Sequence, residues 1–392
     1  MIYLDNNATT RIDPLVRQAM LPWLDEQFGN PSAGYRFGRT AKRAIDEARE
    51  KVAALIDAHP EEIIFTSGGT ESNNTAIHSA ILTRPGKQAI LTSTVEHSAI
   101  EKVARFYEST GYRHRPNPVD SSGALDLDQW AENLADDDCA IASLIWANNE
   151  TGVISPVEKA AELAAERKVF FHTDAVQAVG KIPLSVKEDR FQALSISAHK
   201  LHGPKGIGAL YTNRHSRFNP LLHGGGQENE RRSGTENVAS IVGFGVAAEL
   251  AVARLRNHTS HRLKKLRDQF EQRIIALING TEINGDRDNR LPNTSNLFFP
   301  GIDGEGLLIL LDEAEICCSP GSACSTGSVQ PSRIVRAMGH SKTRARSSVR
   351  FSFSHENTEE EIHSAVDSIK TAVGKLRVTM PSGGGVIRSS RS

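Results

Sequence analysis

Short, nearly continuous apolar runs alternate along the chain with longer stretches in which apolar residues return at helical spacing. The runs Glu62–Thr66, Ala89–Thr92, Ala140–Trp146, Val169–Thr173, Ala193–Ser197 and Gly208–Tyr211 predict strands. Most of them lack polar alternation, as expected of a mainly parallel sheet covered on both faces. Between them, Arg39–Ile56, Ala99–Thr110 and Val157–Arg167 predict helices, and the alternation as a whole predicts an α/β fold. A long helical pattern from Asn237 to Ile278 marks a passage between domains. Beyond it the pattern reads strand Ser295–Phe299, helix Gly304–Asp312, strand Glu315–Cys318, helix Ser332–Met338, strand Ser348–Phe353 and helix Thr358–Leu376. That is a second, smaller α/β layer. The expected division is a large domain over 14–255 and a small domain from 1–13 and 256–378. The Gly-, Ser- and Arg-rich stretch 379–392 is expected to be a disordered tail.

Composition narrows the classes. The 392 residues are 39% hydrophobic and 24% charged, an ordinary globular balance long enough for two domains. A formal net charge of -1 gives no global field favouring nucleic acid or an anionic membrane, so neither is an expected partner. The N-terminal residues carry no basic segment followed by an apolar one, and no apolar run looks long enough to span a bilayer. The four cysteines, Cys139, Cys317, Cys318 and Cys324, are too few for a disulfide framework, and a reducing cytoplasm is expected. Their spacing matches no common zinc site.

In open parallel sheets, ligands sit beyond the carboxyl ends of the strands, so the residues following each strand carry most of the functional information. After Glu62–Thr66 comes Ser67-Gly68-Gly69-Thr70-Glu71-Ser72-Asn73, a glycine turn opening a helix. It suits a phosphate group, and equally an ordinary tight turn with a cap. After Val169–Thr173 comes Asp174, a carboxylate that either caps the next helix or pairs with a cation. After Ala193–Ser197 comes Ala198-His199-Lys200-Leu201-His202-Gly203-Pro204-Lys205. A lysine at a buried strand end is unusual, and its amine becomes a candidate nucleophile if burial lowers its pKa. Lys205 reads as a plain surface lysine. His199 and His202 lack further ligands, so no metal is expected. Cys324 stands among small polar residues, Ser319-Pro320-Gly321-Ser322-Ala323-Cys324-Ser325-Thr326-Gly327-Ser328, in what reads as a mobile, accessible loop. Cys139 and Cys317 lie in apolar runs and read as core, while Cys318 is undecided.

Taken together, these motifs resemble the NifS/IscS-like cysteine desulfurases, in the class V aminotransferase branch of fold-type I pyridoxal-phosphate (PLP) enzymes. The resemblance runs from about Ile2 to Leu376. It rests on Tyr3-Leu4-Asp5-Asn6-Asn7-Ala8-Thr9-Thr10, Phe28-Gly29-Asn30-Pro31-Ser32, Thr66 through Asn73, Glu96-His97 and Asn148-Asn149-Glu150-Thr151-Gly152. It continues through His172-Thr173-Asp174-Ala175-Val176-Gln177, Ser197-Ala198-His199-Lys200, Arg232-Ser233-Gly234-Thr235, Gly321-Ser322-Ala323-Cys324 and Ser348-Val349-Arg350-Phe351-Ser352.

The resemblance implies a PLP-dependent enzyme that converts L-cysteine to L-alanine and keeps the sulfur as a persulfide. It implies that Lys200 carries the cofactor, and that Gly69, Thr70, Ser197 and His199 hold its phosphate. Thr235 would reach in from the second subunit of a homodimer. Asp174 would pair with the pyridine nitrogen, Gln177 and Asn149 would lie near the ring hydroxyl, and His97 would stack on the ring and move protons. Arg350, helped by Asn149, would bind the substrate carboxylate, and Cys324 would be the nucleophile. The persulfide would feed an acceptor protein in iron–sulfur assembly or tRNA thiolation.

Three features depart from the family pattern. Tyr35 replaces a usual histidine, Cys317-Cys318-Ser319-Pro320 replaces a Ser-rich approach to the nucleophile loop, and the tail lacks the ending some relatives use to dock a scaffold. A selenocysteine lyase or another class V PLP enzyme would share Lys200 and Asp174 without needing Cys324. A non-catalytic scaffold is the alternative from another class.

Overall fold

The computed structural model describes residues 1–188, 190–320 and 330–379. A seven-stranded sheet dominates, in the order Ile63–Thr66, Gly208–Thr212, Ala193–Ser197, Phe170–Asp174, Cys139–Ile145, Ala89–Ser93, Arg113–Asn117. Every strand but Gly208–Thr212 points the same way, so the ends at Thr66, Ser93, Ile145, Asp174 and Ser197 share one edge of the sheet. The chain returns from Ser197 to Gly208 through one 3-10 turn, too short for a crossover helix, and that strand is therefore antiparallel. The edge strand Arg113–Asn117 escapes the sequence pattern because it is Arg-His-Arg-Pro-Asn. An edge needs no apolar run and tolerates proline.

Helices on both faces bury the sheet. The helices Pro14–Leu24, Arg36–Ala54 and Val238–Arg256 pack together on one side, and Gly69–Thr83 with Ser98–Ser109 lie on the other. The first starts where the sequence chemistry says it should: Asp13 accepts from the Leu15 N–H, and Pro14 occupies the first helical position. Val238–Arg256 is long and apolar enough to cross a membrane, contrary to the expectation that no such run exists. Its apolar character serves the core instead: Ile241, Phe244, Ala247 and Ala248 are all buried.

The expected long helix from Asn237 to Ile278 is two helices, Val238–Arg256 and Thr259–Leu277. Between them His258 takes a left-handed conformation at φ 56°, a local break that apolar periodicity does not register. Beyond it a second core gathers Leu263, Phe270, Phe299, Leu307, Phe351 and Ile369, together with Leu4 from the start of the chain. Its four-stranded sheet runs Ser319–Pro320, Ser348–Ser352, Thr294–Phe298, Glu282–Ile283. The predicted strand Glu315–Cys318 is divided: Ile316–Cys317 pairs in parallel with Ile2–Tyr3, while Ser319–Pro320 pairs with Val349 and Arg350. The chain start is thus sewn to the second core and then runs to the strand-end edge of the first. The tail over 380–392 lies outside the described residues.

Candidate active site

A cavity of about 320 Å3 opens where the strand ends of the large sheet meet the second core. Gly69 and Thr70 line it from the helix Gly69–Thr83. The turn into this helix needs Gly68, whose φ is 151°. Being glycine, Gly68 gives the helix no side-chain cap, so its first-turn N–H groups face the cavity with their partial positive charge. Ser197 and His199 line the same region. His199 bonds through Nδ1 to the Thr9 hydroxyl at 3.1 Å, and burial pushes its pKa down to about 4, so it is neutral. These groups form a socket for an anion.

Lys200 stands beyond Ser197 on the 3-10 turn Ala198–Lys200. Its Nζ donates to the main-chain oxygens of Asn7 and Ala8, each at 2.6 Å. Burial, helped by the charge of Arg350, lowers its pKa to about 8 and leaves a useful fraction of free amine near neutral pH. Across the cavity, Asp174 ends the strand Phe170–Asp174. One of its oxygens accepts from Val176 N at 3.1 Å and the other from Asn73 Nδ2 at 2.7 Å. The carboxylate fixes the Asn73 amide orientation, because only the NH2 end can face it. Asn73 Oδ1 is then buried without a partner.

His97 caps the helix Ser98–Ser109, and its Nδ1 accepts from Ala99 N at 3.1 Å. In the neutral ring, which burial favours, the proton therefore sits on Nε2. Arg350, in the strand Ser348–Ser352, is 6% exposed. Its Nη2 pairs with Asp5 at 2.6 Å and its Nη1 donates to Asn149 O at 3.0 Å, while the Nε–H is buried without a partner. These two bonds leave further Nη–H donors unused, and Arg350 lines the cavity, so the guanidinium can meet an incoming carboxylate. Gln177 donates to Asn7 O at 2.9 Å and accepts from Lys181 at 2.6 Å.

The structure therefore gathers Gly69, Thr70, His97, Asn149, Asp174, Gln177, Ser197, His199, Lys200 and Arg350 around one cavity. Thr235 is exposed and lines a separate cleft with Ser67 and Arg232. Cys324 lies outside the described residues; the chain leading to it, Ser319 and Pro320, lines the cavity. His199 and His202 have separate partners, Thr9 and Arg11, and do not converge. Of the two cysteines next to the second sheet, Cys318 has its thiol pushed far up by burial and the nearby Asp5, so it is a poor nucleophile.

Three contributors went unassigned in the sequence. Asn73 holds Asp174. Asn7 receives Lys200 and Gln177 on its carbonyl and bonds Thr294 and Asn149 through its side chain. Lys181, partly buried and with its pKa pushed well below the usual lysine range by desolvation and by Lys200 and Arg350, donates to both Asn7 and Gln177. For Asn73 a signal was available, since it lies four residues after Gly69 on the same helix face. Lys181 likewise stands four residues after Gln177, its near partner, whereas its bond to Asn7 and those of Asn7 to Lys200 and Gln177 join distant segments.

This donor set fits PLP. An anion socket, an amine of depressed pKa, a carboxylate for a pyridinium N–H and a free guanidinium N–H surround a space of suitable size. Residues 2–364 match the family described as Aminotransferase class-V. The chain is 48% identical over 381 residues to the cysteine desulfurase NifS of Azotobacter vinelandii, covering 97% of this chain and 94% of that protein. A solved NifS-like protein superposes with a TM-score of 0.90 at 36% identity, covering 96% of this chain and 100% of that one. A structure of SspA in complex with cysteine superposes with a TM-score of 0.79 at 35% identity, covering 90% and 99% of the two chains. The chain belongs to the class V aminotransferase family and, within it, to the NifS-like cysteine desulfurases.

Proposed function

We propose that this protein is a PLP-dependent cysteine desulfurase that converts L-cysteine to L-alanine and carries the sulfur away on Cys324. The observation that carries the reading is the convergence of Lys200, Asp174 and Arg350 on one cavity. When bound there, PLP supplies an aldehyde for an amine and a pyridinium ring that draws electron density from the substrate's Cα.

The chain's own residues do the rest. The uncapped start of the helix Gly69–Thr83, with Ser197 and His199, holds the phosphate. Asp174, kept in place by Asn73 and Val176 N, holds the pyridine proton. Arg350 and Asn149 take the substrate carboxylate, in the cavity that Ser319 and Pro320 also line. Lys200, once displaced by the substrate amine, takes the Cα proton. His97 offers its Nε2 proton within the same cavity. The Cys324 thiolate then attacks the substrate sulfur. An S–S bond forms, the C–S bond breaks, the electron pair left at Cβ collects a proton, and Lys200 returns the proton to Cα, so that alanine leaves. The persulfide passes to a sulfur-acceptor protein.

The working unit in this reading is a homodimer with Thr235 completing the partner's phosphate socket. Its exposure in the free chain, away from its own socket, supports this, as do the exposed side chains of Leu15, Leu24, Phe28 and Tyr35. The enzyme acts in the cytoplasm without inserting into a membrane. The packing of Val238–Arg256 against two neighbouring helices supports the second point.

The test is turnover of cysteine by purified protein carrying PLP. Wild type should release alanine and, with reductant, sulfide. Without reductant it should gain one sulfur atom at Cys324, seen by peptide mass spectrometry. Cys324→Ser should still change the cofactor spectrum on adding cysteine, yet release almost no product. Lys200→Ala should lose on the order of 10²–10⁴-fold in turnover. Near-normal desulfuration by Cys324→Ser refutes the reading, as does borohydride fixation of the cofactor on another lysine.

A further inference from the structure

We propose that Arg333 is a positioning residue that clamps the turn presenting His97 to the chain just beyond Cys324, and so sets the geometry of sulfur transfer. The proposal rests on the desulfurase reading of the same site.

Arg333 opens the short helix Arg333–Ala337, where the described chain resumes after the nucleophile segment. Its guanidinium donates Nη1 to the Thr94 carbonyl at 2.7 Å and Nη2 to the Glu96 carbonyl, and its Nε pairs with Glu101 at 3.0 Å. Thr94 to His97 form the turn between the strand Ala89–Ser93 and the helix that His97 caps. One planar fork thus grips two carbonyls of the turn, the second immediately before His97. A lysine lacks the planar fork that spans these two carbonyls and the Glu101 carboxylate at once.

An apolar contact supports the same docking independently. Ile334 and Met338 pack with Val95, at the centre of the gripped turn, and with Ile145, which lines the cavity. Beside them Ser332 donates to the buried Glu150 at 2.5 Å, next to Asn149. On the other flank of the nucleophile segment, Ser319 donates to Asp5 at 2.8 Å, and Asp5 holds Arg350. The described chain before 321–329 therefore ends beside Ser319, which bonds the Asp5 that holds Arg350, and after it packs on the turn of His97. Cofactor capture needs neither link. Sulfur transfer needs the thiol, the substrate sulfur and His97 in register, and misplacement by an ångström can cost on the order of a hundredfold in such a step.

The decisive variant is Arg333→Gln, which keeps the apolar half of the clamp. Hydrogen exchange of the apoprotein should show the amides of residues 94–98 exchanging faster than in wild type, with the rest of the helix Ser98–Ser109 unchanged. The PLP-loaded variant should bind cofactor with wild-type affinity and show the wild-type spectral change with cysteine. Its single-turnover transfer of sulfur to Cys324, followed by peptide mass spectrometry, should be about tenfold or more slower. Arg333→Lys should fall between the two. Transfer at the wild-type rate overturns the proposal, and so does a parallel loss of PLP affinity, which would mark a general structural role. If wild type itself places no sulfur on Cys324, the desulfurase reading fails instead, and unchanged exchange over 94–98 still overturns the clamp.

Discussion

At Lys200, burial fixes how the enzyme responds to pH. The folded pKa of about 8 lies below the ordinary lysine value, so the reactive free amine is lost as pH falls through 8 and saturates above it. The initial rate at which apoprotein captures PLP should therefore rise about tenfold per unit from pH 6 to 8 and then flatten, measured by absorbance after rapid mixing. Glu96 shows the opposite sign. It is buried, its Oε1 accepts from Ser93 and Ile145, its Oε2 has no partner, and burial raises its pKa to about 7. A raised carboxyl pKa favours folding below the unfolded value near 4.5, and this advantage is lost as pH rises through 7. Glu96→Gln should match wild type at pH 4 and exceed it in stability at pH 8, by at most about 3 kcal/mol in denaturant titrations. At this scale the sequence was legible wherever a residue follows a strand directly, as Asp174 and Lys200 do. Asn7 was not, because its role exists only once Lys200, Gln177 and Lys181 come within hydrogen-bonding reach.

Elements were legible where a single physical pattern governs them. The buried strands announce themselves by continuous apolar runs, and their ends carry the site. The pattern fails at Arg113–Asn117, whose edge position removes the need for apolar residues, and at His258, where one left-handed residue breaks a continuous helical period. The segment Gln227–Glu230 is a third case. Glu228, Asn229 and Glu230 all take positive φ, and nothing in their side chains announces this. The turn is held by Glu228, which is buried, forks onto Arg49 at 2.7 Å on both oxygens and accepts from Phe65 N. Removing one partner leaves a buried charge unmatched, so Glu228→Ala should cost about 3–5 kcal/mol in thermal or chemical unfolding. The exposed pair Lys51–Glu249 should cost no more than about 1 kcal/mol on the same assay when Lys51 becomes Ala.

For the whole molecule, the homodimer proposed above makes its prediction at Thr235. Thr235 follows Gly234 and the Arg232–Glu71 ion pair in an exposed stretch, and its hydroxyl has no role in its own cavity. In a homodimer with shared sockets, Thr235→Ala should weaken PLP binding by about 1.5–3 kcal/mol, the worth of one hydrogen bond to a charged group, without changing sedimentation. A monomer with full activity would rule out the shared socket.

The sequence alone determined the α/β class, the family and the residues at the strand ends, because apolar periodicity and motif order are local or sequential properties. Tertiary structure alone decided that Asn7 receives Lys200, that Asn73 holds Asp174, that Lys181 reaches Asn7, and that Arg333 grips the turn before His97. Each of these is a contact between segments far apart in the chain. It depends on how two cores dock across a cavity, and no spacing along the sequence encodes that distance.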